Sequence, residues 1–240
     1  MIKRCTLFLA CYWLSLSILS AQVWPAGKIS PQLLERSAEA NQTELFTLVV
    51  SDVPTFCVWA KTEGLAILRA YQPANIVVLR VNWTELKTKI LPRPEVLFID
   101  RVATAQEELA VPGQNLFVNH ISAAQAAFPQ LNGMGVTVAI KEHRFDTADV
   151  DIQHRTALAS SVSLQRTVHA SLVATLVGGA GNSDVAGRGV AWGARLVSTG
   201  FNNLLPDDDS DYTAQNITVQ NHSYGSDIEN YYGAGALAYD

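Results

Sequence analysis

The 240-residue chain is 48% apolar and 16% charged, a composition that can bury a core and that excludes a wholly disordered protein. Its net charge of −5 and pI near 5.5 leave no basic stripe to displace counterions, which excludes nucleic acid as a partner. At the N-terminus, Met1-Ile2-Lys3-Arg4, the apolar run Cys5 to Leu19 and Ser20-Ala21-Gln22 have the form of a secretory signal over residues 1–21, cleaved after Ala21. The other reading is an uncleaved anchor helix, for which the run is short against the ~20 residues of a bilayer span. With the signal removed, no membrane association is expected, and the protein is placed outside the cell or in its envelope. No cysteine at the cut site offers a lipid anchor. Cys5 and Cys11 leave with the signal, and Cys57 alone cannot form an internal disulfide; in Phe56-Cys57-Val58-Trp59-Ala60 it reads as a small buried hydrophobe.

A polar lead segment, 22–43, precedes a run of alternating patterns over 44–108. Glu44 to Val50 reads as a strand, and Pro54 to Tyr71 as one amphipathic helix with Val58, Leu65, Leu68 and Ala70 at near-helical spacing. Asn75 to Val81 reads as a second strand, Trp83 to Ile90 as a short helix stopped by Pro92 and Pro94, and Val96 to Val102 as a third strand. This order predicts a small α+β sandwich with helices on one face of a sheet. Residues 109–133, with Pro112-Gly113, Pro129, Gly133 and an alanine-rich stretch from Ile121 to Ala127, read as a linker.

From 134 to 240 the pattern becomes βα: a strand at 136–141, an Asp-rich loop, a helix at 169–177, a Gly-rich loop, and strands at 194–199 and 217–220. Strands alternating with helices predict an α/β unit with a mostly parallel sheet. No internal repeat is present. Two motif readings fail on spacing. Asp207 to Asp211 begins like a calcium loop but has Tyr212 where that loop needs glycine, and Gly187-x-Gly189-x-x-x-Gly193 misses the dinucleotide fingerprint by one residue.

Four blocks in this second region, about 90 residues in all, resemble the subtilisin-like serine proteases. Gly135-Val136-Thr137-Val138-Ala139-Ile140-Lys141-Glu142 is similar to the family's G-V-x-V-A-V-I-D strand, with Asp146 at its second aspartate and Asp151-Ile152 at its D-L pair. Glu142 stands where the catalytic aspartate is usual, and Arg144 where glycine is usual. His169-Ala170-Ser171-Leu172-Val173-Ala174-Thr175 is similar to H-G-T-H-V-A-G, keeping the first histidine and not the second. Gly189-Val190-Ala191-Trp192-Gly193-Ala194-Arg195-Leu196 resembles G-V-A-P-x-A-x-L, and Asn221-His222-Ser223-Tyr224-Gly225 resembles the N-x-S-x-G strand end that binds substrate backbone in that family.

The resemblance implies an incomplete subtilisin-like parallel sheet with flanking helices behind a propeptide-like α+β domain. It implies hydrolysis of peptide bonds in protein or peptide substrates by a charge relay. A serine hydroxyl is too weak an acid to attack an amide unaided, so a histidine takes its proton while a carboxylate fixes the imidazole tautomer. His169 is the expected base and Glu142 the expected orienter, with Asp146 the alternative acid; Ser223, Tyr224 and Gly225 are expected to line the substrate cleft. The acid-then-histidine order agrees with the order known for subtilisin, and Ser-His-Glu triads work on other folds. The family's G-T-S-x-A nucleophile block has no match in these residues, so the chain alone is expected to be inactive.

Asp151 falls where many relatives ligate calcium, and a structural calcium ion is one expectation for it, a solvated loop the other. A monomer is expected. The N-terminal domain would template the slow-forming parallel sheet and its C-terminal tail would block the cleft until cut. The alternative, from a different class, is a non-catalytic binding or scaffold protein that keeps the fold; Glu142, Arg144 and Leu172 at family-defining positions favour it. An α/β-hydrolase with Ser223 as nucleophile is excluded by Asn221 where its elbow needs glycine and by the lack of a following histidine.

Overall fold

Among the described residues, the first of two four-stranded sheets is antiparallel, in the order β2-β3-β1-β4, and the second is wholly parallel, in the order β7-β8-β6-β9. The structure, a computed structural model, describes residues 27–35, 42–108, 120–202, 204–226 and 228–240. The expected signal, residues 22–26 and 36–41 of the polar lead and residues 109–119 of the expected linker lie outside the described residues. No helix among the described residues is long and apolar enough to cross a membrane.

The first sheet is built from β1 (Thr43–Val50), β2 (Ala66–Tyr71), β3 (Ile76–Asn82) and β4 (Val96–Arg101), after a short helix α1 (Pro31–Leu34). α2 (Val53–Thr62) opens on Asp52, whose carboxylate accepts from the Thr55 N–H at 3.3 Å, with Pro54 in the first turn where its missing N–H costs nothing. α3 (Trp83–Glu85) is capped by Asn82 in the same way and runs on into a π turn over Leu86–Ile90. Phe46, Leu48, Phe56, Leu79, Ile90 and Ile99 are fully buried between the helices and one sheet face. The element order is the β-α-β-β-α-β arrangement of the split βαβ motif.

One expectation fails here. The run Pro54 to Tyr71 is not a single helix: it ends at Thr62, Gly64 turns the chain at φ +73°, and Ala66–Tyr71 is strand β2. In β2 exposed and half-buried residues alternate, the period of a sheet edge rather than of a helix. Leucine at 65 and 68 fits both periods, and the left-handed glycine decides between them.

A two-residue strand, β5 (Gln106–Glu107), follows β4. Within the expected linker, α4 (Ile121–Ala127) is an ordered helix tied to the second region by Gln125 Nε2, which donates to the Gly189 carbonyl at 3.0 Å. The parallel sheet comprises β6 (Thr137–Lys141), β7 (Thr156–Leu158), β8 (Arg195–Thr199) and β9 (Val219–Asn221). β6 lies at its centre with all five residues buried. α5 (Val168–Gly178) packs Ala170, Val173 and Ala174 against Val138, Ile140 and Leu196. β7 and the helix α6 (Asp209–Gln215) answer to no sequence expectation. After a last two-residue strand, β10 (Tyr224–Gly225), the helix α7 (Ala234–Tyr239) lays Ala234 and Ala238 on Ile76 and Val78 of the first sheet's free face.

Candidate active site

β6 delivers Glu142 one residue past its carboxyl end, the position at which open α/β sheets gather functional groups. Its side chain is wholly buried. α5 delivers His169 from its first turn. Thr167 caps that turn, its hydroxyl accepting from the Ala170 N–H at 3.2 Å, so the imidazole root is fixed to the helix start. The two side chains converge: His169 Nδ1 lies 3.5 Å from Glu142 Oε2. The other carboxylate oxygen, Oε1, accepts from the Ser223 N–H at 3.0 Å. The fourth block therefore meets the first through the backbone of Ser223, and Asn221 Nδ2 braces the Ser223 hydroxyl at 2.9 Å.

Of the two candidate acids, Glu142 faces the histidine. Asp146 turns away, forming a 3.1 Å ion pair with Arg166 and accepting from the Ala148 N–H, while its own N–H binds Ser171 Oγ. Asp151 sits apart from this site. Its carboxylate accepts from Ser183 Oγ and from the N–H groups of Asn182 and Ser183. Burial works against its charge, but those donors outweigh it and hold the carboxyl below the usual range.

A fourth participant was invisible in the sequence motifs. β5 pairs antiparallel with β10, Gln106 opposite Gly225 and Glu107 opposite Tyr224, so a segment just after the first sheet lies along the strand end at 223–225. A Cβ on Gly225 would stand 2.8 Å from Glu108 Oε1, which is why the small residue suits this approach. Glu107 Oε1 accepts from Thr167 Oγ1 at 2.5 Å and lies 3.8 Å from His169 Nδ1. The available signal was position alone: Glu107-Glu108 closes the segment expected to end at 108.

Electrostatics follow from this crowding. Burial pushes the Glu142 carboxyl up to about 7; the Ser223 N–H opposes the rise, and the charges of Glu107 and Glu108 add to it. Burial also raises the Tyr224 phenol to about 12. Behind the site, Lys141 and Asp207 form a buried ion pair at 2.9 Å, completed by the Gly200 carbonyl on Lys141 and Gln220 Nε2 on Asp207. The acidic run at 207–211 thus supplies the partner of a buried lysine and the first turn of α6, where negative charge complements the helix dipole.

No protein-family model and no curated protein matches the chain. Among solved structures, the epidermin leader peptide processing serine protease of Staphylococcus aureus aligns over 68% of this chain and 45% of its own, with TM-score 0.50 and 10% identity. A mutant of the same enzyme gives TM-score 0.52 at 11% identity. Fervidolysin of Fervidobacterium pennivorans, a keratinolytic enzyme related to subtilisin, aligns over 88% of this chain and 39% of its own, with TM-score 0.54 and 14% identity. The fold is subtilisin-like. At these identities the likeness establishes the architecture, a parallel sheet flanked by helices, and the chain spans less than half the length of each of these proteins.

Proposed function

We propose that this chain is the front portion of the precursor of an exported subtilisin-like serine endopeptidase: signal over 1–21, propeptide-like domain over 44–108, and the first part of the catalytic domain from 134. The observation that supports it most directly is the approach of a strand-end carboxylate and a helix-start imidazole, in the chain order of the family's charge relay. In this reading His169 takes the proton of a serine hydroxyl as it attacks the substrate carbonyl and returns it to the leaving amine. Glu142 holds the ring and stabilises the imidazolium, itself held by the Ser223 N–H. The backbone of 223–225 receives the substrate as an added antiparallel strand, the geometry that β5 adopts there. β5 is then the precursor's own tail in the cleft, which keeps the site occupied.

The test uses the complete secreted protein. A fluorophosphonate probe should label it and it should cleave a denatured protein substrate, with His169→Ala abolishing both and Glu142→Asp retaining activity. A second reading, a non-catalytic binding protein on the same fold, is favoured by one observation. The facing oxygen and nitrogen of Glu142 and His169 are both buried and neither makes a hydrogen bond. Complete protein that is neither labelled nor proteolytic, with His169→Ala leaving its biological activity unchanged, would give that reading the lead.

A further inference from the structure

Three residues from three separate parts of the chain meet at this site: Glu107 from β5, Glu142 from the end of β6, and His169 from α5. Each offers a ligand atom within 4.8 Å of the other two, and His169 Nδ1 lies 3.5 Å from Glu142 Oε2 and 3.8 Å from Glu107 Oε1. Two of these atoms, Glu142 Oε2 and His169 Nδ1, are buried with no hydrogen-bond partner. A wholly buried carboxylate oxygen and an imidazole nitrogen left unpaired at 3.5 Å cost stability that a bound group would recover. The third donor comes from a half-exposed strand, and Thr167 Oγ1 orients it.

We propose that Glu107, Glu142 and His169 form a zinc site that closes when β5 lies in the cleft. Zinc bonds of about 2.0–2.2 Å in a tetrahedron set neighbouring ligand atoms roughly 3.3 Å apart. The observed separations of 3.5 Å from Nδ1 to Glu142 and 3.8 Å to Glu107 reach that by small side-chain movements. One imidazole with two carboxylates suits zinc. Calcium and magnesium select oxygen-only shells, so the imidazole disfavours them. The Ser223 N–H occupies Glu142 Oε1 and leaves Oε2 for the ion, and the Thr167 hydroxyl steadies Glu107 by donating to Oε1 itself.

The consequence for catalysis rests on the protease reading. A cation on Nδ1 leaves the ring proton on Nε2, so the imidazole cannot accept a proton from a serine hydroxyl. The same ion ties β5 into the cleft. Zinc would thus hold the precursor shut twice over, through the tautomer and through the tail.

Zinc binding is read on the purified chain by competition with a chromophoric chelator, with no turnover required. The expected result is one zinc per chain, weakened more than about tenfold by Glu107→Gln and by His169→Ala, since loss of a supporting partner alone costs about 10–100-fold. His222→Ala should leave it unchanged, and calcium and magnesium should not compete. Nitrogen-15 NMR of the unmutated chain gives a check independent of variant folding: zinc should shift His169 Nδ1 and leave Nε2 protonated. No zinc-dependent signal, or binding that survives Glu107→Gln, overturns the site. The protease reading stands or falls separately, on labelling of the complete protein.

Discussion

The two sheets differ in what they bury. Beneath the antiparallel sheet the interior is apolar, with Phe46, Leu48, Phe56, Leu79, Ile90 and Ile99 in contact and two helices covering one face. Around the parallel sheet, Lys141, Glu142, Asp151, Ser198, Thr199, Asp207 and Asp211 are buried beside a smaller apolar cluster. The first arrangement gains most of its stability from area removed from water. The second spends part of that gain on polar groups that must each find a partner. The first sheet is an apolar scaffold and the second is held by partnered polar groups, and perturbations should separate them by size and by pH dependence.

The largest effect is expected in the apolar sheet. Phe46→Ala removes a fully buried ring stacked edge-on to Trp83 and should cost about 4 kcal/mol at any pH between 5 and 9, read by urea unfolding. A loss that varied with pH would mean that the scaffold is coupled to the polar site. Asp207→Asn strands the buried Lys141 ammonium and should cost about 3 kcal/mol by the same measurement. A null effect there would show that water reaches the pair.

Glu142→Gln should have the opposite sign. The folded carboxyl is raised from 4.5 to about 7, so ionisation opposes folding. That penalty is absent below about pH 4.5, grows between pH 4.5 and 7 and is full above. Discounted for solvent screening, the penalty leaves the glutamine variant stabler by about 2 kcal/mol at pH 8 and equal at pH 4. Unfolding curves in urea at the two pH values decide it, and equal stability at pH 8 would mean that Glu142 is solvated. The smallest effect is electrostatic and remote in sequence. Glu107→Gln should lower the Glu142 titration midpoint, followed by carbon-13 NMR of the side chain; an unmoved midpoint would show that β5 does not press on the site.

Much of this was legible because it is written in period and in block order. The parallel strand at 137–141, the helix from 168 and the strand at 219–221 follow from the alternation of strand and helix patterns and from motif order, which also sets Glu142 before His169. What escaped has physical reasons. β2 hid inside an apolar run whose leucines satisfy either period until Gly64 is seen to turn left-handed. β7 is three residues long, none of them buried, with no alternation to read. The run from Asp207 reads in sequence only as a calcium loop that fails at Tyr212, because nothing there places Lys141 behind it. Glu107 escaped because β5 joins the site through main-chain pairing, which leaves no side-chain pattern.

That two-residue ladder has one more consequence. Two pairs are too few to hold a free peptide, and β5 stays in place because residues 102–105 leash it to β4. On so short a leash the local concentration is of millimolar order, set by geometry and not by affinity. Melting the antiparallel sheet slackens the leash. The thermal stability of one sheet therefore bears on how often the strand end of the other is left uncovered.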